Sequence, residues 1–346
     1  MARNQRIFYA CQAVAIAQRG EGTLGQEDIL HGVQSVGMSS TFTLDQVFEL
    51  GQIEIYENVE EVADIEVNIE KVIDGYRLIY DAASRSACRN GIVPASKSRC
   101  DVHVAIFDDG LNNATGVPRN VCYNSGMFIS SVSYNYSVDG SATESIGLVG
   151  NDRFWNSETH TGYMAKSAAN IWGTATDLVG DAGIDGTDEA AQGVVRRVNV
   201  NVSGSAIPAE VVRNQDTDNA VGQGSGLHIQ SIAISTDFGQ ESAQELGRFG
   251  PYTRYATFPI EVTCDFEIIS TSGDLVSVSG NAPNLQDRQI IIRDDAGTVI
   301  DLGSKNKLSS VSYTGGDTGG GNATVTYSYS NFNSLTVTNG QTAISD

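Results

Sequence analysis

The sequence predicts a mainly β chain, built as two related β domains of sandwich or barrel type with short helices and an inserted linker region. Three observations carry this. Apolar residues alternate with polar ones at period two through many short segments. The 346 residues include 37 glycines but 6 prolines, a composition of tight turns rather than of proline-rich extended helix. The second half of the chain also echoes the first. The length accommodates two ordinary domains or one large one, and 40% hydrophobic residues are enough to bury a core.

The echo can be read position by position. Residues 33–56 align with 229–252 without a gap at an offset of 196, and eight of 24 positions are identical, where average composition gives about 2. Ile65-Glu66-Val67 then falls on Ile260-Glu261-Val262 after one residue of slippage. Asp108-Asp109-Gly110 falls on Asp294-Asp295-Ala296-Gly297, and Ser130 to Tyr134 falls on Ser309 to Tyr313. Unbroken order across four blocks indicates a tandem duplication, with domains at 1–150 and 194–346 around a linker at 151–193.

Taken in order, Ile7 to Ile16 reads as a leading strand. Val36, Met38 and Phe42 alternate in the next strand, matched by Ile232, Ile234 and Phe238 in the second copy. Thr43 to Gly51 and Gly239 to Gly247 each end in Glu-Leu-Gly and read as helical turns closed by a C-terminal glycine. Ile65, Val67 and Ile69 form the next strand, with Ile260 to Ile268 as its counterpart. In the linker, Thr159 to Leu178 reads as a helix anchored by Tyr163, Ile171 and Trp172, followed by the acidic loop Asp181 to Glu189. Val194 to Val202 answers the leading strand, and strands around Val311 and Val325 are joined by a glycine-rich turn at Gly315 to Asn322.

Charge and motifs narrow the function. With 21 Lys+Arg against 42 Asp+Glu, the net charge is −21, which argues against a protein that grips nucleic acid by displacing phosphate counterions. The N-terminus is too short and polar for a secretory leader, and no apolar run is long enough to span a membrane. The chain therefore reads as soluble and made in the cytoplasm. Cys11, Cys88, Cys100, Cys122 and Cys264 form no CxxC pair, so they read as reduced, mostly buried thiols, and the four glycosylation sequons as turn-rich composition. There is no GxSxG elbow, HExxH or P-loop. His31, His103, His160 and His228 are isolated; His103 reads as a strand or core histidine, and His31 and His228 as structural residues before the repeated strand. The Asp181–Glu189 spacing does not fit an EF-hand. The Asp108-Asp109 and Asp294-Asp295 pairs read as hairpin turns rather than catalytic carboxylates. No enzyme activity, cofactor or metal is expected.

The stretch from Gln34 through Phe42, Glu49-Leu50-Gly51, Tyr56 and Ile65-Glu66-Val67 resembles tail tube proteins of long-tailed bacteriophages. So do Ser231 to Gly247, Gly250 to Tyr255, Phe258 to Thr263 and the opening Asn4 to Val14. The resemblance covers both copies and hardly touches the linker. It implies tube-type β-sandwich or barrel domains, six to a ring, whose inner strands pair between neighbours; stacked rings then enclose a channel for DNA ejection. Two such domains per chain imply a trimer with pseudo-sixfold symmetry, or a hexamer with one domain outside. The implied location is the virion tail and the implied partners are the chain itself, a tail sheath, and baseplate or terminator proteins, with passing DNA not tightly bound and no membrane. Glu66, Glu70, Glu261, Asp265 and Glu267 are the candidate channel-lining acids, with Ile65, Val67, Ile260 and Val262 facing the core. Glu49, Leu50, Gly51 and Tyr56, with Glu245, Leu246, Gly247 and Tyr252, are candidates for contacts between rings or subunits. The alternatives are a baseplate hub or tube initiator, and a calcium- or carbohydrate-binding β module; an acidic-cleft hydrolase comes last.

Overall fold

The structure is a computed structural model that describes residues 6–18, 28–107, 118–155, 193–201, 206–212, 228–279, 285–316 and 320–339. The expected linker helix, the acidic loop after it, His160, Asp108-Asp109 and the middle of the Gly315–Asn322 turn lie outside the described residues.

The chain is mainly β. After a 3-10 turn at Tyr9–Cys11 come β1 (Gln12–Gln18), β2 (Val33–Thr41), the hairpin of β3 (Leu44–Phe48) and β4 (Ile55–Glu60), and β5 (Asp64–Val72). Two short helices, α1 (Ile79–Ser84) and α2 (Ile92–Ala95), precede β6 (Cys100–Ile106), the long β7 (Asn120–Ser137), β8 (Thr143–Gly150) and β9 (Asp152–Trp155). The second half begins with β10 (Val200–Asn201) and α3 (Ala209–Val212). It continues with β11 (Ile229–Asp237), the hairpin of β12 (Gln240–Ala243) and β13 (Thr253–Ala256), and β14 (Glu261–Ile269). The short β15 (Ile291–Asp294) and β16 (Val299–Asp301) lead to β17 (Lys307–Thr314), β18 (Thr324–Phe332) and β19 (Thr336–Thr338).

One large antiparallel sheet organises these elements, in the order β17-β18-β14-β11-β7-β8-β5-β2. β7 is long enough to serve two layers: its first part pairs with β6 and β9, its second with β8 and β11. Apolar alternation in the sequence explains the layering. In β5 and β14 every second residue is buried, and these inner faces join one apolar cluster running from Val14 to Val337. The C-terminal end is tied back onto the first half, where the Asn339 side-chain amide donates to the Tyr76 carbonyl at 2.9 Å and Cys88 Sγ to the Val337 carbonyl at 3.4 Å.

Within the sheet, the run β2-β5-β8-β7 is followed by β11-β14-β18-β17, whose strands occur in the same sequence order. Irregularities recur too. A bulge falls between Val33 and Ser35 in the first run and between Ile229 and Ser231 in the second. Another falls between Ile129 and Ser131, and again between Leu308 and Ser310. Ser35 Oγ donates to Glu70 at 3.4 Å, as Ser231 Oγ does to Glu267 at 3.1 Å. Gln34 bonds the Gly32 carbonyl and Gln230 the His228 carbonyl, each at 3.1 Å. Gly32 and His228 occupy the same place and share a left-handed backbone, φ 71° and 51°.

Several sequence expectations need correction. Thr43–Gly51 and Gly239–Gly247 are not helical turns but the first strand and tip of hairpins. The glycines do adopt the left-handed backbone, φ 95° at Gly51 and 84° at Gly247; they close a hairpin end rather than a helix. The leading strand starts at Gln12, not Ile7, and among the described residues of the expected Val194–Val202 strand only Val200–Asn201 is extended into a ladder. Strand register places Ile65 opposite Ser40 and Val262 opposite Thr236, so Ile65 corresponds to Val262 rather than to Ile260. The two-residue error kept every side chain on the expected face, because the period of a strand is two. The Asp294-Asp295 segment is a hairpin turn as expected, with Thr298 N donating to Asp294 at 2.9 Å between β15 and β16.

Candidate assembly face and edges

The solvent face of the large sheet follows directly from the alternation. Ser35, Glu70, Ser145, Ser133, Ser235, Thr263 and Ser330 stand side by side across seven strands. A neighbouring row runs through Asn135, Ala233, Asp265, Ser328 and Ser310. The face is therefore small, hydroxyl-rich and acidic. Glu66 and Glu261 are exposed on it, and Glu70, Asp265 and Glu267 are half-buried, while Ile65, Val67, Ile260 and Val262 are buried behind it. The orientation expected for all five acids is the one observed. Among the described residues of these eight strands, Lys307 at one corner is the single cation on this face.

The two four-strand runs meet at β7 and β11. Val138 N donates to the Gln230 carbonyl at 3.0 Å at one end, and Phe238 N to the Ser130 carbonyl at 2.8 Å at the other. On the core side Ile234 faces Tyr134 and Thr236 faces Val132, all buried. Phe238 closes the joint edge-to-face on Tyr80 of α1, ring centroids 6.4 Å apart. The β12–β13 hairpin then reaches over the first half. Gln240 Nε2 donates to the Ile129 carbonyl at 3.0 Å, Arg99 donates to Thr253 Oγ1 at 2.9 Å while stacking over Phe128, and Arg254 pairs with Asp64 and Asn151.

The outer edges of the sheet, β2 and β17, carry the same residue types without that cover. Phe42, which corresponds to Phe238, is 70% exposed where Phe238 is 0% exposed. Tyr313, which corresponds to Tyr134, is 53% exposed against 1%. Val36, Met38 and Val311 are only half-buried. The β3–β4 hairpin, counterpart of β12–β13, is exposed along its whole length. Its tip holds Glu49, Leu50 and Gly51, and the second tip holds Glu245, Leu246 and Gly247; Tyr56 and Tyr252 flank them, and all eight are exposed. Sequence reasoning placed Phe42 and Phe238 in strands but missed that one is covered and the other bare, because pairing between distant strands leaves no local signal.

Behind the first run lies a buried polar set that sequence reasoning also missed. Glu144 is fully buried and accepts hydrogen bonds from Ile79 N at 2.6 Å, Tyr80 N at 3.0 Å and Tyr134 OH at 3.0 Å. Burial pushes its pKa up, while the two amides and the Lys71 charge pull the other way. Lys71, also fully buried, donates to Asp74 at 2.8 Å and to the His31 carbonyl at 2.9 Å. These contacts orient α1 and the β2 entrance. His103 is buried against Tyr123, ring centroids 4.8 Å apart, and burial lowers its pKa to about 4. All five cysteines are buried and unbridged. No metal-sized group of three or more His, Cys, Asp or Glu occurs among the described residues, and no helix among them is long and apolar enough to cross a membrane.

No protein-family model matches the chain, and no curated protein matches it. Several solved structures are similar over part of it. The tube-terminating cap of the anti-feeding prophage is 12% identical, with 45% of this chain covering 95% of that one at a TM-score of 0.33. The sheath/tube terminator of the PVC extracellular contractile injection system, in its extended state, is 12% identical, with 45% of this chain covering 100% of that one at 0.34. A chain of the native gene transfer agent virion is 15% identical, with 45% of this chain covering 100% of it at 0.28.

Proposed function

We propose that the chain is a non-enzymatic structural subunit of a bacteriophage-type tail tube, a tandem duplication of one tube domain that assembles with itself into stacked rings of the virion tail. The observation that carries this reading is the β7–β11 joint. Inside one chain, the end of one four-strand run is completed by the start of the next, and the sheet is left with one edge of each kind, β17 and β2. Edges of opposite kind on one molecule join head to tail, and a rotation that closes makes a ring without exposed edges. Three chains would supply six runs, a threefold ring of pseudo-sixfold form; six chains with half of the runs outside is the competing arrangement.

In such a ring the hydroxyl-rich acidic face lines the channel. Glu66, Glu70, Glu261, Asp265 and Glu267 would then repel phosphates, so DNA would pass without adhering. The hairpin tips at Glu49–Gly51 and Glu245–Gly247, with Tyr56 and Tyr252, would meet the next ring, a sheath, or baseplate and terminator proteins. Negative-stain microscopy of the purified chain tests the reading: rings or tubes with a central hole are expected. A chain that stays monomeric at virion-like concentration overturns it, and a single ring confined to one end of purified tails would make it a tube initiator instead.

A further inference from the structure

We propose that the joint between copies has the register of the β7–β11 joint, with Ser39 of β2 opposite Ser312 of a second copy's β17, and that Phe42 is the pin that closes it. This rests on the self-assembly reading above and adds to it the residues and the register. The internal joint is the template. Ser235 faces Ser133 in it, and the matching bulges carry Ser235 onto Ser39 and Ser133 onto Ser312. The same mapping puts Met38 opposite Tyr313 and Ser40 opposite Val311, which buries the core-side residues that the isolated edges leave bare. Phe42 N then donates to the Ser309 carbonyl, as Phe238 N does to Ser130, and its ring enters the neighbour's core.

Charge supports the same partner. In the internal joint the β12–β13 hairpin lies beside Phe128 and Ile129, with Thr253 held by Arg99. The corresponding residues of a copy-to-copy joint are Lys307, Leu308 and, on the hairpin, Glu57. The β3–β4 hairpin carries Asp45, Glu49, Glu54, Glu57 and Glu60 with no Lys or Arg between residues 44 and 60. Lys305 and Lys307 are exposed at the start of β17; Lys307 lies 3.7 Å from Asp287, an open pair that water weakens and that leaves the ammonium accessible. An acidic arm and a basic seat therefore face each other across the joint and disfavour the reversed pairing of like edges.

A disulfide reads the register. Phe238 N donates to the Ser130 carbonyl and Val138 N to the Gln230 carbonyl, which marks 238/130 and 230/138 as hydrogen-bonded positions of the ladder, so 235/133 is a non-hydrogen-bonded pair, the kind with Cα atoms about 4.5 Å apart and within disulfide reach. The full chain carrying Ser39→Cys and Ser312→Cys, mildly oxidised, is expected to give an intermolecular disulfide ladder, while Ser39→Cys with Val311→Cys, whose side chains leave opposite faces, gives none. Phe42→Asp is expected to raise the concentration for half-assembly by about tenfold or more without lowering the melting temperature of the single chain. Lys307→Glu should weaken assembly at low salt, and Glu57→Lys in the same chain should restore it. Rings that form without the Ser39–Ser312 disulfide, or that tolerate Phe42→Asp, overturn this register and pin while leaving the tube reading intact. A wild-type chain that never assembles overturns both.

Discussion

The two hairpins, β3–β4 and β12–β13, leave equivalent strands at equivalent places, yet one is bare and the other is fastened. Phe238 at the root of the second is sealed against Tyr80, and Arg254, Gln240 and Thr253 tie its arms to the first half. Phe42 at the root of the first meets solvent, and its arms carry acids instead of an arginine. Exposure here is set by which neighbour is present, not by local sequence. The largest expected effect breaks that equivalence. Phe238→Ala should cost the single chain about 3–5 kcal/mol in denaturant unfolding, whereas Phe42→Ala should leave it within about 0.5 kcal/mol. Equal costs in the two variants would mean that the hairpin roots are not sealed in different ways.

A second contrast lies behind the sheet. Lys71 and Glu144 face each other across β5 and β8, while Ile268 and Val325 face each other at the corresponding place in β14 and β18. The charged version accompanies α1, whose first amides end on Glu144. Those amides lack helical partners and would be costly to bury unpaired, so the carboxylate is retained where the helix is. Glu144→Gln keeps the shape and forfeits one of the two amide bonds, at a cost of about 1–2 kcal/mol. The pH dependence gives the sign. With its folded pKa raised, Glu144 contributes stability that is fully present below the ordinary value of 4.5 and is lost as pH rises from there through the folded pKa. Stability of the wild type relative to Glu144→Gln should therefore fall on going up from pH 4.5, as read by urea midpoints. A relative gain over that range would contradict the burial penalty.

Much of this could be read from the chain alone, for identifiable reasons. Alternation at Ile65, Val67, Val262 and Cys264 is a property of single strands, so the faces of all five candidate acids were legible. Glu-Leu-Gly was misread as a helix end because a left-handed glycine serves a helix C-terminus and a hairpin tip alike. The β7–β11 pairing was illegible within the chain, since residues about a hundred positions apart share no local pattern. Lys71 and Glu144 were overlooked because each interrupts an otherwise apolar face, and only the partners that satisfy them, Asp74 and the α1 amides, explain their burial.

The smallest contrast concerns the hairpin arms themselves. Arg254 is nearly buried, but its partner Asp64 is 59% exposed, and water weakens a pair so open on one side. Arg254→Ala should cost about 1 kcal/mol overall and act locally, by loosening the β12–β13 hairpin from the first half. Amide exchange should quicken at Glu241, Ser242 and Tyr255 while β14 remains protected. Asn58→Ala, at the corresponding place on the bare hairpin, has no such tie to lose, and exchange in β3–β4 should not change in the single chain. If both variants quickened exchange alike, the second hairpin would not be held by Arg254, and the internal joint would be no tighter than an open edge.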